Sequence, residues 1–429
     1  MVRPALTGAP VDLQLGRHGS TEPQLGGEPE WPLDLLDVSK LAATGWRPVP
    51  FRHFVVKIHG RCNLACTYCY MYELADQSWR SKPRVMDPLI VAAVTRRMAE
   101  HVERNDLPWI DVVFHGGEPL LAGPEMIERT AQQIRAAVPA SCEVRLRIQT
   151  NAILLDERVL GMLARLGITV GVSLDGTAED NDRHRKYADG RGSHAKVAES
   201  LRLFDRPEYH ELFAGMLCTI DADSDPVKTY EALLEFNPPA VDFLLPHGNW
   251  SSPPPNRAPD QVPGRYSEWL LELFERWYRA PRAETRIRFF EQIINIVLGG
   301  SSSSESLGLS PVGVIVVDTD GSIEQVDSLR SAYQGAAGAG LDVIRNSFQE
   351  ALVHPGVAAR QIGVDALADE CRRCPVMEIC GGGHYPHRYR AGSGYRNPSV
   401  YCADLLHTIN HVRDVVLGDV RALLEARSK

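Results

Sequence analysis

Residues 61–73 read RCNLACTYCYMYE, and within them Cys62, Cys66 and Cys69 form a CxxxCxxC loop. That spacing offers three thiolates and no fourth. A 4Fe-4S cubane held by three cysteines keeps one iron without a protein ligand, and such an iron can bind a small molecule directly instead of only passing electrons. The other reading of three close cysteines is a zinc knuckle completed by a distant cysteine or histidine.

Working outward from the loop, a β-branched run at 53–58 precedes it, and five more follow at 110–114, 143–149, 169–174, 212–220 and 241–245. Helical patterns at 88–103, 125–137, 157–166, 194–204 and 227–236 lie between them, and a sixth at 266–278 follows the last strand. Strand-helix units in series predict a parallel sheet, because parallel neighbours need a crossover and a helix supplies it. Six units instead of eight predict an open, partial (βα)6 barrel of the α/β class. Active-site residues of such sheets lie in loops after the strands' C-terminal ends, where the cysteine loop also falls.

Two further motifs obey that rule. After the second strand comes His115-Gly116-Gly117-Glu118-Pro119, whose glycines let backbone approach a ligand and whose carboxylate can receive an ammonium group; a plain tight turn is the alternative. Gln149-Thr150-Asn151 closes the third strand and Ser173-Leu174-Asp175-Gly176 the fourth, setting small polar side chains at the barrel mouth.

Past a proline-rich loop at 251–263 and a serine run at 301–304 the repeating units stop. Runs at 314–317 and 323–326 read as a β-hairpin, and helices are expected near 341–352 and 402–424. Between these helices Cys371, Cys374 and Cys380 form CxxCxxxxxC, with Cys402 following 22 positions after Cys380. Four thiolates would close a 4Fe-4S site or a zinc site equally well. Cys142 and Cys218 stand alone in apolar runs and read as core fillers. Tyr266, Trp269, Phe274 and Trp277 recur at helical spacing and read as core packing.

The totals bound the function. A chain of 429 residues with 44% hydrophobic residues fills one large domain and a smaller one. A net charge of -9 argues against nonspecific nucleic-acid binding and favours a peptide or small-molecule partner. Nothing approaches the roughly 20 apolar residues of a membrane span, and no secretory signal is evident, so a cytoplasmic location is expected. Nine cysteines, an odd number gathered mostly in two groups, fit metal ligation in a reducing compartment better than disulfides.

On the cysteine loop and the motifs after strands two to four, the chain resembles the radical S-adenosylmethionine (radical SAM) enzymes. The resemblance implies S-adenosylmethionine (SAM) on the open iron, with Tyr68 beside the adenine and Gly116, Gly117 and Glu118 around the methionine amino group. It further implies Ser173 and Arg185 at the SAM carboxylate and Thr150 and Asn151 nearer the ribose; for Arg185 a solvated charge in a polar loop is the alternative. One electron from an external donor such as flavodoxin or ferredoxin would then generate a 5'-deoxyadenosyl radical that abstracts hydrogen from carbon.

The second cysteine group resembles a SPASM domain, the C-terminal extension of many peptide-modifying radical SAM enzymes. A full SPASM domain has two auxiliary clusters, but here the hairpin of 313–330 contains no cysteine and the position four past Cys380 is His384. One auxiliary cluster is therefore implied, two 4Fe-4S clusters in all, or about eight irons per chain. Asp327 falls near the missing hairpin cysteine; it and Glu324 read either as polar or basic groups near the substrate or as exposed hairpin carboxylates. The organisation expected is an irregular extension over 1–50, a barrel over 51–285 and a SPASM-like α+β extension over 286–429.

The strings at 57–80, 241–250, 380–390 and 398–405 are similar to the cyclophane-forming radical SAM/SPASM maturases that act on precursors with a C-terminal Phe-Xaa-Ser-type motif. That resemblance implies a ribosomally made precursor peptide in which an aromatic ring carbon is joined to the β-carbon of a nearby residue. The auxiliary cluster would take the surplus electron. Asp242 and His247, at the end of the sixth strand, are candidates for the base, although alternation also suits Asp242 as a buried structural acid. Thioether formation, epimerisation and sulfatase-type oxidation of serine or cysteine share the same motifs, and a zinc-binding interaction protein is the rival from another class.

Overall fold

In a computed structural model, residues 29–257, 264–302 and 304–427 are described. All six expected strands form: β1 (His53–His59), β2 (Trp109–Gly116), β3 (Glu143–Thr150), β4 (Ile168–Ser173), β5 (Phe213–Thr219) and β6 (Ala240–Leu244). They lie side by side in that order, every pair parallel. The crossovers carry helices Pro88–Asn105, Pro124–Ala137, Glu157–Arg165, His194–Leu201 and Pro226–Leu234, and Arg265–Tyr278 follows β6. Each crossover returns the chain to the same end of the sheet, so the loops after β1 to β6 gather at one mouth.

Strand alternation sorts the side chains. On β1, Phe54, Val56 and Ile58 are buried toward the helices, whereas Val55 and Lys57 face the barrel interior. The same period puts His115 of β2, Gln149 of β3, Ser173 of β4, Thr219 of β5 and Asp242 of β6 inside. Tyr266, Trp269 and Phe274 are buried as expected of a packing stripe, and Cys142 and Cys218 are buried as well.

The sheet does not stop at six strands. A two-residue β7 (Arg286–Ile287) pairs parallel with β6. On the other edge β8 (Val314–Val317) pairs parallel with β1 and turns back antiparallel into β9 (Ser322–Glu324), beside which β10 (Gly338–Asp342) runs antiparallel. The hairpin is therefore a continuation of the barrel sheet, in the order β10-β9-β8-β1-β2-β3-β4-β5-β6-β7.

β10 corrects the helix expected at 341–352. Asp342 accepts the amides of Ile344 and Arg345 and turns the chain, and the helix that forms, Phe348–Leu352, starts at a Ser347/Glu350 capping box. The pattern expected at 194–204 likewise ends as an α-helix at Leu201 and continues as a 3-10 turn, Arg202–Asp205. Helix Cys402–Arg427 packs on Arg265–Tyr278 and on helix Arg288–Val297. Of the N-terminal extension, residues 1–28 lie outside the described residues; the rest holds a six-residue helix, Val38–Ala43, and wraps onto the C-terminal region, where Trp31 stacks under Arg396 at 4.1 Å.

Where hairpin meets barrel, charges are buried together. Lys57 and Arg330 are each 0% exposed, and Lys57 Nζ lies 3.1 Å from Asp318 and 3.0 Å from Glu324 and also pairs with Asp327. Arg330 reaches Asp76, Asp318 and Glu324 at 3.0, 2.8 and 2.6 Å, and Lys82 adds a third cation. Burial alone would discharge Lys57, yet Asp327, Glu324 and Asp318 hold its ammonium above the ordinary lysine range. The exposed-carboxylate reading of Asp327 and Glu324 is thereby corrected: both are buried and paired with this cation set.

Candidate active site

The cysteine loop is stitched to a second segment. The amides of Ala65 and Thr67 donate to the carbonyls of Lys186 and His184 at 2.7 and 3.1 Å, which sets Arg185 beside Cys66 and Tyr68. Arg185 follows a helix, Ala178–His184, capped by Thr177. It is 7% exposed, so its reading as a solvated charge is corrected. Its Nη1 lies 3.0 Å from the Tyr68 hydroxyl, which donates to Asp175 through a short hydrogen bond. Burial raises both Tyr68 and Asp175 above their ordinary values.

The glycine pair is needed where the loop flank meets β2. Gly116 has φ +137°, and a Cβ there would lie 2.0 Å from the His59 carbonyl oxygen; one on Gly117 would lie 1.9 Å from the Tyr72 hydroxyl. The amides of Gly117 and Glu118 donate to His59 and Arg61 at 2.9 and 3.0 Å. Glu118 is buried, and its carboxylate accepts from Leu120 N, Thr150 Oγ1 and Asn151 N at 3.0, 2.7 and 2.8 Å. It thus clamps the end of β3 to the end of β2. Burial raises its pKa against those three donors. Asn151 in turn donates to Asn63 at 2.8 Å and reaches Cys62 Sγ at 3.5 Å.

These groups enclose a cavity of about 250 Å³ whose walls include all three loop cysteines, Tyr68, Gly116, Gly117, Thr150, Asn151, Ser173 and Arg185. Glu118 stands behind that wall. Ser173 accepts from Gln149 at 3.0 Å, and the buried Arg185 Nε has no hydrogen-bond partner among the described residues. A cluster and SAM fit this donor set: three thiols share the cavity wall with an unsatisfied guanidinium nitrogen and small polar groups. Burial pushes Cys62 up to about 11 and Cys69 to about 12, so these thiols become ligands only when a metal displaces their protons.

A second chamber of about 400 Å³ adjoins the first, sharing Tyr70, His115, Leu244, Leu245 and His247 as walls. Asp242 lines it and pairs with Arg288 at 2.7 Å; burial still raises its carboxyl above the usual range. His247 lines both chambers, with its ring 4.7 Å from Tyr70, and burial lowers it to about 4. Asp327 also borders the larger chamber, but its carboxylate is engaged by Lys57.

The second cysteine group converges too. Cys371, Cys374, Cys380 and Cys402 all border one largely apolar cavity of about 70 Å³. Arg388 fixes the turn after Cys380 by donating to the carbonyls of Gly381 and Gly383, each at 2.7 Å. Burial pushes Cys371 up to about 11 and Cys380 to about 12.

Three features escaped the sequence reading. Lys57 is a charge in the middle of a hydrophobic strand, and only its hairpin partners explain it. The helix Ala178–His184 carries a visible start signal, Thr177 with Asp180 three positions on, inside a segment read as polar loop. His387 joins His247 and His384 around the larger chamber, which no spacing rule announces.

Residues 56–221 match the Radical SAM superfamily model. The cysteine-type anaerobic sulfatase-maturating enzyme of Clostridium perfringens (strain 13 / Type A) is 24% identical over 326 residues, 75% of this chain and 85% of that one. The serine-type enzyme of Klebsiella aerogenes is 25% identical over 359 residues, 82% of this chain and 84% of that one. Among solved structures, native anSMEcpe with bound AdoMet and the Cp18Cys peptide superposes with TM-score 0.73 at 22% identity, covering 86% of this chain and 99% of that one. Streptococcus suis SuiB bound to precursor peptide SuiA gives TM-score 0.57 at 14% identity, covering 85% of this chain and 78% of that one. The fold is accordingly the α/β radical SAM fold. Among the described residues no helix is long and apolar enough to cross a membrane.

Proposed function

We propose that this radical SAM superfamily member, related to the anaerobic sulfatase-maturating enzymes and to peptide-modifying radical SAM enzymes, installs an aromatic-to-Cβ crosslink in a ribosomally made precursor peptide. The observation that carries the reading is the pair of adjoining chambers: a polar one at the three cysteines, and a larger one opening from it past Tyr70, His115 and His247. The second is large enough for the side chains of a peptide and holds carboxylates.

Cys62, Cys66 and Cys69 would hold a 4Fe-4S cluster; Gly116, Gly117, Thr150, Asn151, Ser173 and Arg185 would hold SAM, with Tyr68 beside its base. When bound, SAM at a reduced cluster supplies a carbon radical able to remove hydrogen from unactivated carbon. Glu118 acts through Thr150 and Asn151, fixing the loop that touches the ligand. Arg185 and Asp175 hold the Tyr68 hydroxyl from two sides, so the ring has one orientation. Leu64, Met71, Leu217, Leu244 and Leu245 line the remaining wall and exclude water from the reacting centre.

Forming one crosslink removes two hydrogens from the peptide. Asp242 is the proton acceptor favoured here, because burial makes its carboxylate more basic while Arg288 keeps it oriented. Cys371, Cys374, Cys380 and Cys402 would hold an auxiliary cluster to take the surplus electron.

The sulfatase-maturating relatives favour a second reading, oxidation of a serine or cysteine to an aldehyde. Anaerobic incubation with a candidate precursor peptide separates the two. A crosslink lowers the mass by about two hydrogens per bond and gives a product inert to hydrazine. A hydrazone adduct would replace this proposal with the second reading.

A further inference from the structure

We infer that His247, His384 and His387 form a binding site for a zinc-type divalent cation on the wall of the larger chamber. The three residues come from different parts of the fold: His247 follows β6, whereas His384 and His387 lie on the turn after Cys380. Their candidate ligand nitrogens all lie within 4.8 Å of one another. The rings are neighbours, with centroids 5.8, 5.8 and 5.0 Å apart for 247–384, 247–387 and 384–387.

Orphaned nitrogens point to a missing partner. His247 Nδ1 and His387 Nε2 are buried, and neither has a hydrogen-bond partner among the described residues. Among the described residues the third ring has one long hydrogen bond, His384 Nε2 to Ser328 Oγ at 3.4 Å. Buried imidazole nitrogens are normally satisfied, so unsatisfied ones on neighbouring rings from separate elements call for a donor or a cation. The three rings cannot all supply that donor to one another without leaving one nitrogen opposed to another lone pair.

The chemistry of the set selects the ion. Three neutral imidazoles suit zinc and its borderline neighbours better than magnesium or calcium, which prefer oxygen. At zinc-nitrogen distances of about 2.0–2.1 Å a tetrahedral ion needs its nitrogens about 3.4 Å apart, so the rings must draw in by roughly an ångström. The His384 and His387 rings would close that distance by turning about their side-chain bonds; they sit on a short turn after three consecutive glycines in left-handed backbone, Gly381, Gly382 and Gly383. Three protein ligands leave a fourth position, and all three histidines line the 400 Å³ chamber, as does Asp327. That position would take water or a substrate carbonyl or carboxylate oxygen; this role rests on the peptide reading above, whereas the binding itself does not.

The test is zinc uptake by the iron-reconstituted protein, without peptide. Equilibrium dialysis against micromolar Zn²⁺ should load the wild type with one zinc more than the His384→Gln/His387→Gln variant, at equal iron and sulfide content. The zinc K-edge spectrum of the wild type should show imidazole nitrogens at about 2.0–2.1 Å. Equal zinc in both proteins, or a wild-type spectrum with sulfur ligands only, would overturn the site. The wild-type spectrum decides the matter even if the variant does not fold.

Discussion

The two cysteine groups are built from the same side chain and differ in what surrounds it. Cys62, Cys66 and Cys69 border a polar cavity of about 250 Å³ with an unsatisfied arginine nitrogen, and glycines let neighbouring backbone close in. Cys371, Cys374, Cys380 and Cys402 border a smaller, largely apolar cavity of about 70 Å³. Three thiols with space leave a metal corner for chemistry; four thiols close it. On the proposed function, a single missing ligand and the cavity that replaces it would separate a reactive centre from an inert or electron-storing one.

The strongest way to break this contrast is to remove each group in turn. Changing Cys62, Cys66 and Cys69 to alanine should reduce SAM cleavage, measured as 5'-deoxyadenosine, to background, and lower the iron content from about eight to about four per chain. Changing Cys371 and Cys374 to alanine should also cost about four irons but leave SAM cleavage within several-fold of wild type, while crosslinked product disappears. If both variants lost cleavage alike, the division of labour would be wrong.

A smaller effect tests what joins the two regions. Lys57 ties β1 of the barrel to the hairpin through Asp318, Glu324 and Asp327. Lys57→Met strands buried carboxylates, and chemical denaturation should report a loss of about 3–5 kcal/mol. Smaller still, Arg185→Lys keeps the charge but not the guanidinium reach to Tyr68; KM for SAM should rise about tenfold with kcat little changed. An unchanged KM would remove Arg185 from the ligand wall.

The mildest effect is acid sensitivity. Against the cost of burial, Lys57, Lys82 and Arg330 hold Asp318 below the usual carboxylate range, and Glu324 is lowered by the same cations. Acids with depressed folded pKa values stabilise the fold fully above their unfolded value of about 4, and that stability drains as pH falls further. The urea midpoint should therefore drop below about pH 4, and more steeply in wild type than in Asp318→Asn.

The barrel was legible because its signals are local. Period-two runs, crossover helices and three motifs at strand ends each occupy a short stretch, and together they place the first cysteine group. The hairpin's attachment to β1 was not legible, since pairing between 53–56 and 314–317 is a long-range choice that no local pattern encodes. Lys57 shows the same limit: a lysine between Val56 and Ile58 makes sense only beside acids more than 250 positions away. β10 failed for a subtler reason. Leu341–Leu352 has helical spacing, but the Asp342 turn and the Ser347 cap restart the chain within it. Glu118 was found as a residue, yet its partners at the end of β3 give it a bracing contact that the motif alone did not reveal.

Electron paramagnetic resonance of the reduced Cys371→Ala/Cys374→Ala protein, recorded before and after adding SAM, asks whether the first group alone leaves an iron corner free. The expected result is a cubane signal whose g values shift when SAM binds, and a loss of that shift when Cys62, Cys66 and Cys69 are replaced instead. A signal indifferent to SAM, or zinc in place of iron at the first group, would contradict it.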